Sequence, residues 1–370
     1  MIKHRSLVGE IASNKPNAST AFNLPDSAAT GLRSFDAAYA ASETPPYFAT
    51  NGTDWEEAIG VFTAGTPDTL DRALLLDSST GSFIDWSAGG DVTVFVSASA
   101  KLNEYAGMGL DSLIPGGRLS LSSSDPIGDS ASATTIYYLP YIHNKICLWN
   151  GYFWQPVEFS SLSLALGTLT SGNCYDVFCY LSSGVATLEL LAWTNDTTRA
   201  TAVNREDGRW CKSGDKTRLL LGTFKTISTT ATRDDGTLRY LSNVYNKISK
   251  KFATLSEATS HAYNSSTPRP WNNNTSNSRI EYTISIYAEV LCVYGCYMQT
   301  GGNGQISAAL NSTTSISEGA VGGLATTNAH IRSSFITNLS TPGHNYLQGI
   351  ELSYSNTTFS SLYLSGGITC

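Results

Sequence analysis

The run Cys147-Leu148-Trp149-Asn150-Gly151-Tyr152-Phe153-Trp154 constrains this chain more than any other. Asn-Gly between apolar residues is a strong hairpin signal, because a two-residue type I′ turn needs positive φ at both central positions. Such a turn sets Trp149 against Tyr152 and Cys147 against Trp154 on one side, and Leu148 against Phe153 on the other. Both faces of the ribbon are then apolar. It must be buried on both sides, or on one side and against another subunit. The aromatic cluster reads first as core and second as a binding platform.

The strands that follow point to a sandwich. Tyr175, Val177 and Cys179 alternate with Asp176 and Phe178, just after the turn residues Thr170-Ser171-Gly172-Asn173. A Leu, a short turn and then a Tyr entering a strand resembles the tyrosine corner of immunoglobulin-like sandwiches, where the phenol bonds backbone a few residues upstream.

Composition bounds the class. A chain of 370 residues is long enough for two or three domains. Only 14% of residues are charged and 11% are aromatic, with short strand-like runs between Ser, Thr, Asn and Gly. That mixture reads as all-β, in the style of extracellular or virion proteins. A net charge of −7 argues against a nucleic-acid surface. No run of about 18 uncharged apolar residues is present, so no membrane insertion is expected, and the N-terminal residues lack the apolar core of a secretory signal. Seven cysteines make an odd count. Cys292 and Cys296 would lie about 13 Å apart along a strand, beyond disulfide reach. Cys174 and Cys179 would face opposite sides of one strand. The thiols therefore read as buried small hydrophobes of a chain made in a reducing cytoplasm.

Five segments are expected along the chain. Residues 1–30 read as an attachment arm or, equally, as a first edge strand. Residues 31–105 form an N-terminal β module, with turns at Asn51-Gly52 and Gly89-Gly90-Asp91. Residues 106–132 read as a linker, residues 133–232 as a central β-sandwich and residues 233–370 as a head. Residues 238–248 fit either helix or strand. From Ile280 to Val290 the even positions are apolar and the odd ones largely polar, which predicts one long strand with a core face. Beyond Val290 both faces turn apolar, as at an intersubunit contact. Further strands are expected at 305–310, 333–338, 346–354 and 358–364, making a jelly-roll-like sandwich.

Two runs carry a family resemblance. Trp55-Glu56, Arg72 and Ser87-Ala88-Gly89 occur in an order that resembles a small β module of tailed-bacteriophage fibre and other virion proteins. The run Leu169 to Phe178, with Ala192-Trp193-Thr194-Asn195-Asp196-Thr197-Thr198-Arg199 and Lys212 to Phe224, also resembles a phage virion module. Cys174, Cys179 and Cys211 depart from the small or polar residues expected there. The resemblance implies a structural subunit of a bacteriophage particle: a tail fibre, a head or neck fibre, or a decoration protein. It implies a homotrimer located in the virion, attached to other head, neck or tail proteins through its N-terminal part and exposing its C-terminal domain.

No nucleophile elbow, zinc-binding His-Glu-X-X-His or phosphate loop occurs. His143 and Cys147 share a strand face without a second ligand pair, so neither metal nor cofactor is expected. Glu56-Glu57 and Asp234-Asp235 read as solvated loop or edge charges rather than a glycosidase pair. No enzyme is expected, and a glycan-degrading spike ranks last. The alternative to a purely structural role is a carbohydrate-binding head for host surface polysaccharide, using the loop residues Tyr263, Trp271, Asn272, Asn273, His344 and Tyr346. For Trp271, next to Pro270, the competing reading is a packed loop anchor.

Overall fold

The computed structural model describes residues 5, 7–97, 114–300, 303–316, 329–339 and 341–370. The rest of the expected arm (1–4 and 6) and of the expected linker (106–113) lies outside the described residues. Every described element is a strand except one 3-10 turn, Trp271–Asn273, so the all-β expectation holds. Two compact units result: Met1–Leu113 with Trp149–Pro156, and Ile114–Leu148 with Val157–Cys370.

The first unit is built on a six-stranded sheet. Its order is Gly9–Ile11, Thr93–Val96, Pro46–Thr50, Trp55–Thr63, Asp68–Ser78 and Phe22–Leu24. The described part of residues 1–30 thus supplies both edge strands, with Phe22 and Leu24 fully buried. That settles the choice left open above against a free arm, because this segment does bury apolar surface within one chain. The core is Phe22, Phe35, Tyr47, Phe62, Trp86 and their aliphatic neighbours.

The motif residues of this unit meet inside it. Glu56 stands in a central strand with no exposure, and Arg72 on the neighbouring strand is 3% exposed. Glu56 accepts from Arg72 Nε at 2.9 Å, from Tyr47 Oη at 2.8 Å and from the Ile84 amide at 2.9 Å. Arg72 also donates to the carbonyls of Asn17 and Ile84 and lies over the rings of Phe22 and Phe83. Glu56 is therefore no edge charge. The expectation failed because its partner, sixteen residues away, satisfies it from across the ladder.

The second unit contains a three-stranded sheet, Leu162–Ala165, Thr135–Pro140 and Gly117–Ser120. Beside it is a six-stranded sheet, Val185–Ala192, Cys174–Ser182, Asp215–Lys225, Arg209–Lys212 and Val203–Glu206, with Leu241–Asn243 also paired to Asp215–Lys225. Two more sheets share one core of Trp271, Tyr282, Tyr294, Leu347 and Phe359, giving a sandwich. One sheet runs Arg269–Pro270, Gly343–Ser353, Arg279–Ile284, Leu238–Arg239, Thr232–Asp234 and Ser130–Ala133, with Gly304–Leu310 added to Gly343–Ser353. The other runs Ser249–Lys251, Thr357–Thr369, Ala288–Thr300 and Ala329–Leu339.

These pairings cross the expected borders. Thr232–Asp234 pairs with both Ser130–Ala133 and Leu238–Arg239, so residues 133–232 and 233–370 are not separate bodies. The described part of the linker is built in as well. Gly117–Ser120 is buried throughout, Leu119 exchanges hydrogen bonds with the Asn243 side chain, and Arg118 Nη1 donates to Asn246 O at 2.6 Å. Residues 238–248 contain the short strands Leu238–Arg239 and Leu241–Asn243.

Local expectations fared unevenly. The tyrosine corner is present: the Thr170 amide donates to Tyr175 Oη at 2.8 Å. At the hairpin, Asn150 Oδ1 instead accepts the amides of Tyr152 and Phe153, both at 3.0 Å. The loop spans four residues between Lys145–Trp149 and Trp154–Glu158, and Trp149 meets Trp154 edge-on at 5.6 Å. An Asn side chain that mimics a backbone turn displaced the two-residue geometry. Ile146, Cys147 and Leu148 are buried within the single chain. All six described cysteines are free and buried.

The expected strand over 280–290 is two strands, Arg279–Ile284 and Ala288–Thr300, in different sheets. At the break, the Ser285 amide bonds Ser242 Oγ at 3.0 Å and its carbonyl accepts Arg199 Nη2 at 2.7 Å. Side chains take over the ladder's role there, and the alternation survives the bend because Ala288 and Val290 re-enter the core.

Replacing Arg72 by Met strands a buried carboxylate, so stability of the first unit should fall by about 3–5 kcal/mol. Adding Glu56→Leu should return much of that loss. Denaturant melts of the single and double variants check this, and equal losses in both would contradict it.

Candidate functional site

The six residues singled out for glycan binding do not form one site. Trp271 has no exposure. Its indole is met edge-on by His261 at 4.8 Å and Phe359 at 5.8 Å, so no sugar can stack on it. The packed-anchor reading is the observed one. Tyr263 is half-buried under the Arg269 guanidinium at 3.7 Å, and its hydroxyl donates to Thr267 O at 2.6 Å. Asn272 and Asn273 follow Trp271 with φ of 49° and 54°. They carry the turn, a left-handed backbone that Asn tolerates better than most residues.

His344 and Tyr346 sit near the other end of the strand Gly343–Ser353. Arg269 pairs with Glu351 in that ladder, seven positions from His344, roughly 23 Å at the usual rise. The two halves of the expected set are therefore separate clusters.

At the Trp271 end, Glu351 is fully buried and accepts from His261 Nε2 at 2.6 Å and Arg269 Nε at 2.8 Å. At the His344 end, the imidazole bridges two acids. Nε2 lies 2.9 Å from Glu281 Oε2 and Nδ1 lies 3.3 Å from Asp196 Oδ2. Tyr240 Oη donates to Glu281 at 2.6 Å, and Lys225 Nζ pairs with Asp196 at 3.1 Å. These contacts hold the Glu281 carboxyl down at about 2, the His344 hydrogen bond being the largest cause, and burial with the Glu281 bond pushes the Tyr240 phenol up. Tyr346 lies under Arg279 at 3.9 Å. A glycosidase would need open space between two acids for the sugar bond. Here the imidazole fills the space between Asp196 and Glu281.

The second motif run also converges, a short distance along the same network. Asp176 is 1% exposed and Arg199 12%. Arg199 grips Asp176 through Nε at 2.8 Å and Nη2 at 3.1 Å, and lies 4.5 Å over the Trp193 ring. Thr223 Oγ1 donates to Asp176 Oδ1 at 2.6 Å, and Phe224 stacks on Tyr175 at 5.5 Å. Gly222 is required there, since a Cβ would stand 2.3 Å from Ser242 O. Gly343, at φ 100°, likewise admits the Asp196 carbonyl, to which the His344 amide donates at 2.7 Å. The run 192–199 is thus a bracket between the six-stranded sheet and the sandwich.

Asp234 is buried against Lys250 at 2.5 Å and near Arg239, while Asp235 pairs with Arg233 at 2.7 Å. Asp234 is therefore no solvated edge charge, because Lys250 and Arg239 reach it from other strands, whereas Asp235 is a partly exposed turn residue paired within its own turn. Two surface hollows of about 440 and 380 Å³ flank Glu158–Ser160, and none of the expected glycan residues lines either.

No protein-family model matches the chain. No characterised protein matches it in sequence. Among solved structures it is similar to that of infectious bursal disease virus Gx strain, with 8% identity over 98% of this chain and 70% of that one, at a TM-score of 0.25. A second similarity is to the insecticidal delta-endotoxin Cry8Ea1 of Bacillus thuringiensis, with 9% identity, 67% and 51% coverage and a TM-score of 0.19. A third is to an exo-beta-1,3-galactanase of Phanerochaete chrysosporium, with 9% identity, 93% and 69% coverage and a TM-score of 0.17.

The Glu281 carboxyl is depressed from 4.5 to about 2 in the folded chain. Its stabilisation is complete above pH 4.5 and is lost as pH falls toward 2, by up to about 3 kcal/mol. Acid titration of thermal stability should show that loss, and His344→Ala should shrink it. A wild-type curve identical to the variant's would refute the assignment.

Proposed function

We propose that this chain is a structural subunit of a bacteriophage particle, of the fibre or decoration type. The observation that carries the reading is where the resemblance falls. Glu56 and Arg72 in one motif run tie neighbouring strands of the first sheet, and Asp176, Trp193, Arg199, Gly222, Thr223 and Phe224 in the other lie in or beside the contacts that hold the six-stranded sheet to the sandwich. The exposed residues of the same runs, among them Ser87, Ala88, Thr194, Asn195, Thr197 and Thr198, lie in the turns and bends that join these strands.

In this reading the N-terminal unit, which carries the fibre-type module, faces the particle, and the C-terminal unit is presented outward. The chain works as a homotrimer. The hairpin's buried base gives that state no support, but Tyr287 and Leu291 are 56% and 41% exposed, beside the position where the strand was expected to enter a subunit contact. Aromatic and aliphatic side chains left in water are the usual cores of such contacts.

Host-polysaccharide binding is a second reading, favoured by the half-exposed Tyr346, Arg279 and His344 end of the strand. Tyr346→Ala should abolish glycan-array binding with the fold intact; array binding that survives it would discard that end as the site. Substitution of Trp271 would report on folding instead.

Light scattering of purified protein should give about three times the 39.6 kDa chain mass, and peptides of the chain should be recovered from purified particles. A stable monomer at micromolar concentration, absent from particles, would overturn the structural reading.

A further inference from the structure

Four charged side chains meet where the two sheets of the sandwich come together. Asp234 ends the strand Thr232–Asp234 of one sheet, and Lys250 is the middle residue of Ser249–Lys251 in the other. Both are nearly sealed from solvent, at 3% and 8% exposure. Lys250 Nζ lies 2.5 Å from Asp234 Oδ2, 3.3 Å from Asp129 Oδ1 and 3.4 Å from Gly128 O. Arg239 grips Asp129 through Nη1 at 2.5 Å and Nη2 at 3.0 Å, and its Nη1 stands 3.8 Å from Asp234 Oδ2. Asp234 Oδ1 is buried with no hydrogen-bond partner.

As an ion pair this arrangement is poor. A buried carboxylate is stable when donors satisfy both of its oxygens, and here one oxygen has none. As a reacting set it is well composed. The amine touches a carboxyl carbon's own oxygen, a second carboxylate stands beside the amine, and a guanidinium lies near the carboxyl. These are a nucleophile, an electrophile, a base and a stabiliser of negative charge.

We propose that Lys250 and Asp234 condense into an amide, a covalent bridge between the two sheets, with Asp129 carrying the proton. Transfer of one proton within the Lys250–Asp234 pair gives a neutral amine and a neutral carboxylic acid. The amine lone pair then bonds Asp234 Cγ while the carbonyl π pair moves onto oxygen, where Arg239 stabilises the developing charge. Asp129 takes one proton from the nitrogen and returns it to the hydroxyl as the Cγ–O bond breaks. One water leaves, Asp129 ends as it began, and no oxidant or activated group is consumed.

The environments of the two acids fit these roles. Burial pushes the Asp234 carboxyl up, toward the neutral acid, against the pull of Lys250 and Arg239. Burial acts on Asp129 as well, but the bonds from Arg239 and Lys250 outweigh it and hold that carboxyl down, as a base requires. Two acids pushed apart in this way divide acid from base work. Condensation also replaces two buried charges by an uncharged amide and leaves Arg239 matched to Asp129, so burial favours the product. Holding the amine against the acid removes the entropic cost of bringing them together. Once formed, the bond keeps the two sheets from parting without covalent cleavage.

Mass spectrometry of the full chain reads this directly. The purified folded chain should be lighter than its sequence mass by one water. A tryptic digest should yield residues 234–239 branched onto residues 248–251, with no cleavage after Lys250. Asp129→Asn removes the base and should leave the chain at its sequence mass, with both peptides linear and the fold checked by circular dichroism. If that variant fails to fold, Lys250→Arg serves, since it keeps the charge without the amine and should also restore the full mass. A wild-type chain at its full sequence mass would overturn the proposal. So would a missing water found in the linear 234–239 peptide, as a cyclic imide at Asp235-Gly236.

Discussion

Buried pairing of an arginine or lysine with a carboxylate is the constraint on which the arrangement of sheets depends. The chain has few charged residues, yet it encloses Glu56 with Arg72, Asp176 with Arg199, Asp234 with Lys250, and Glu351 with Arg269 and His261. A pair taken out of water contributes little net stability compared with an apolar replacement, but removing one partner is costly. Such pairs penalise wrong register. Apolar sheet faces slide past one another at little cost, whereas Arg199 must reach Asp176, the Trp193 face and the Ser285 carbonyl together. Directional contacts choose among packings that greasy surfaces alone would leave nearly equal.

Features that depend on near neighbours were legible in the sequence. Tyr175 closes its corner on a residue five positions away, and the alternation from Ile280 to Val290 marks the core face on both sides of the bend. Features decided at long range were not. The break at Ser285 is made by Ser242 and Arg199, forty-three and eighty-six residues away. Glu56 and Asp234 look like surface acids until their partners arrive on other strands. Asn150 announced a turn correctly, but whether its backbone or its side chain would make that turn was a local choice the dipeptide does not encode.

The candidate site shows the same limit. Polar and aromatic residues of the kind that hold sugars occur at both ends of Gly343–Ser353, and spacing along the chain gives no hint that one end is sealed. At that end Trp271 is enclosed by His261, Tyr294 and Phe359. At the other, His344 occupies the gap between its two acids. Neighbours drawn from distant strands, rather than residue type, decide whether an aromatic ring meets solvent.

The seating of Leu119 on Asn243, 124 positions downstream, bears on how the chain is made. At roughly 5–20 residues per second of synthesis, the strand Gly117–Ser120 emerges about 6–25 s before the residues that receive it exist. In that interval the strand has its sheet neighbour Thr135–Pro140 to pair with, but not the Asn243 side chain that bonds the Leu119 amide and carbonyl. The three-stranded sheet is thus complete in sequence well before the strand Leu241–Asn243 that finishes its seat.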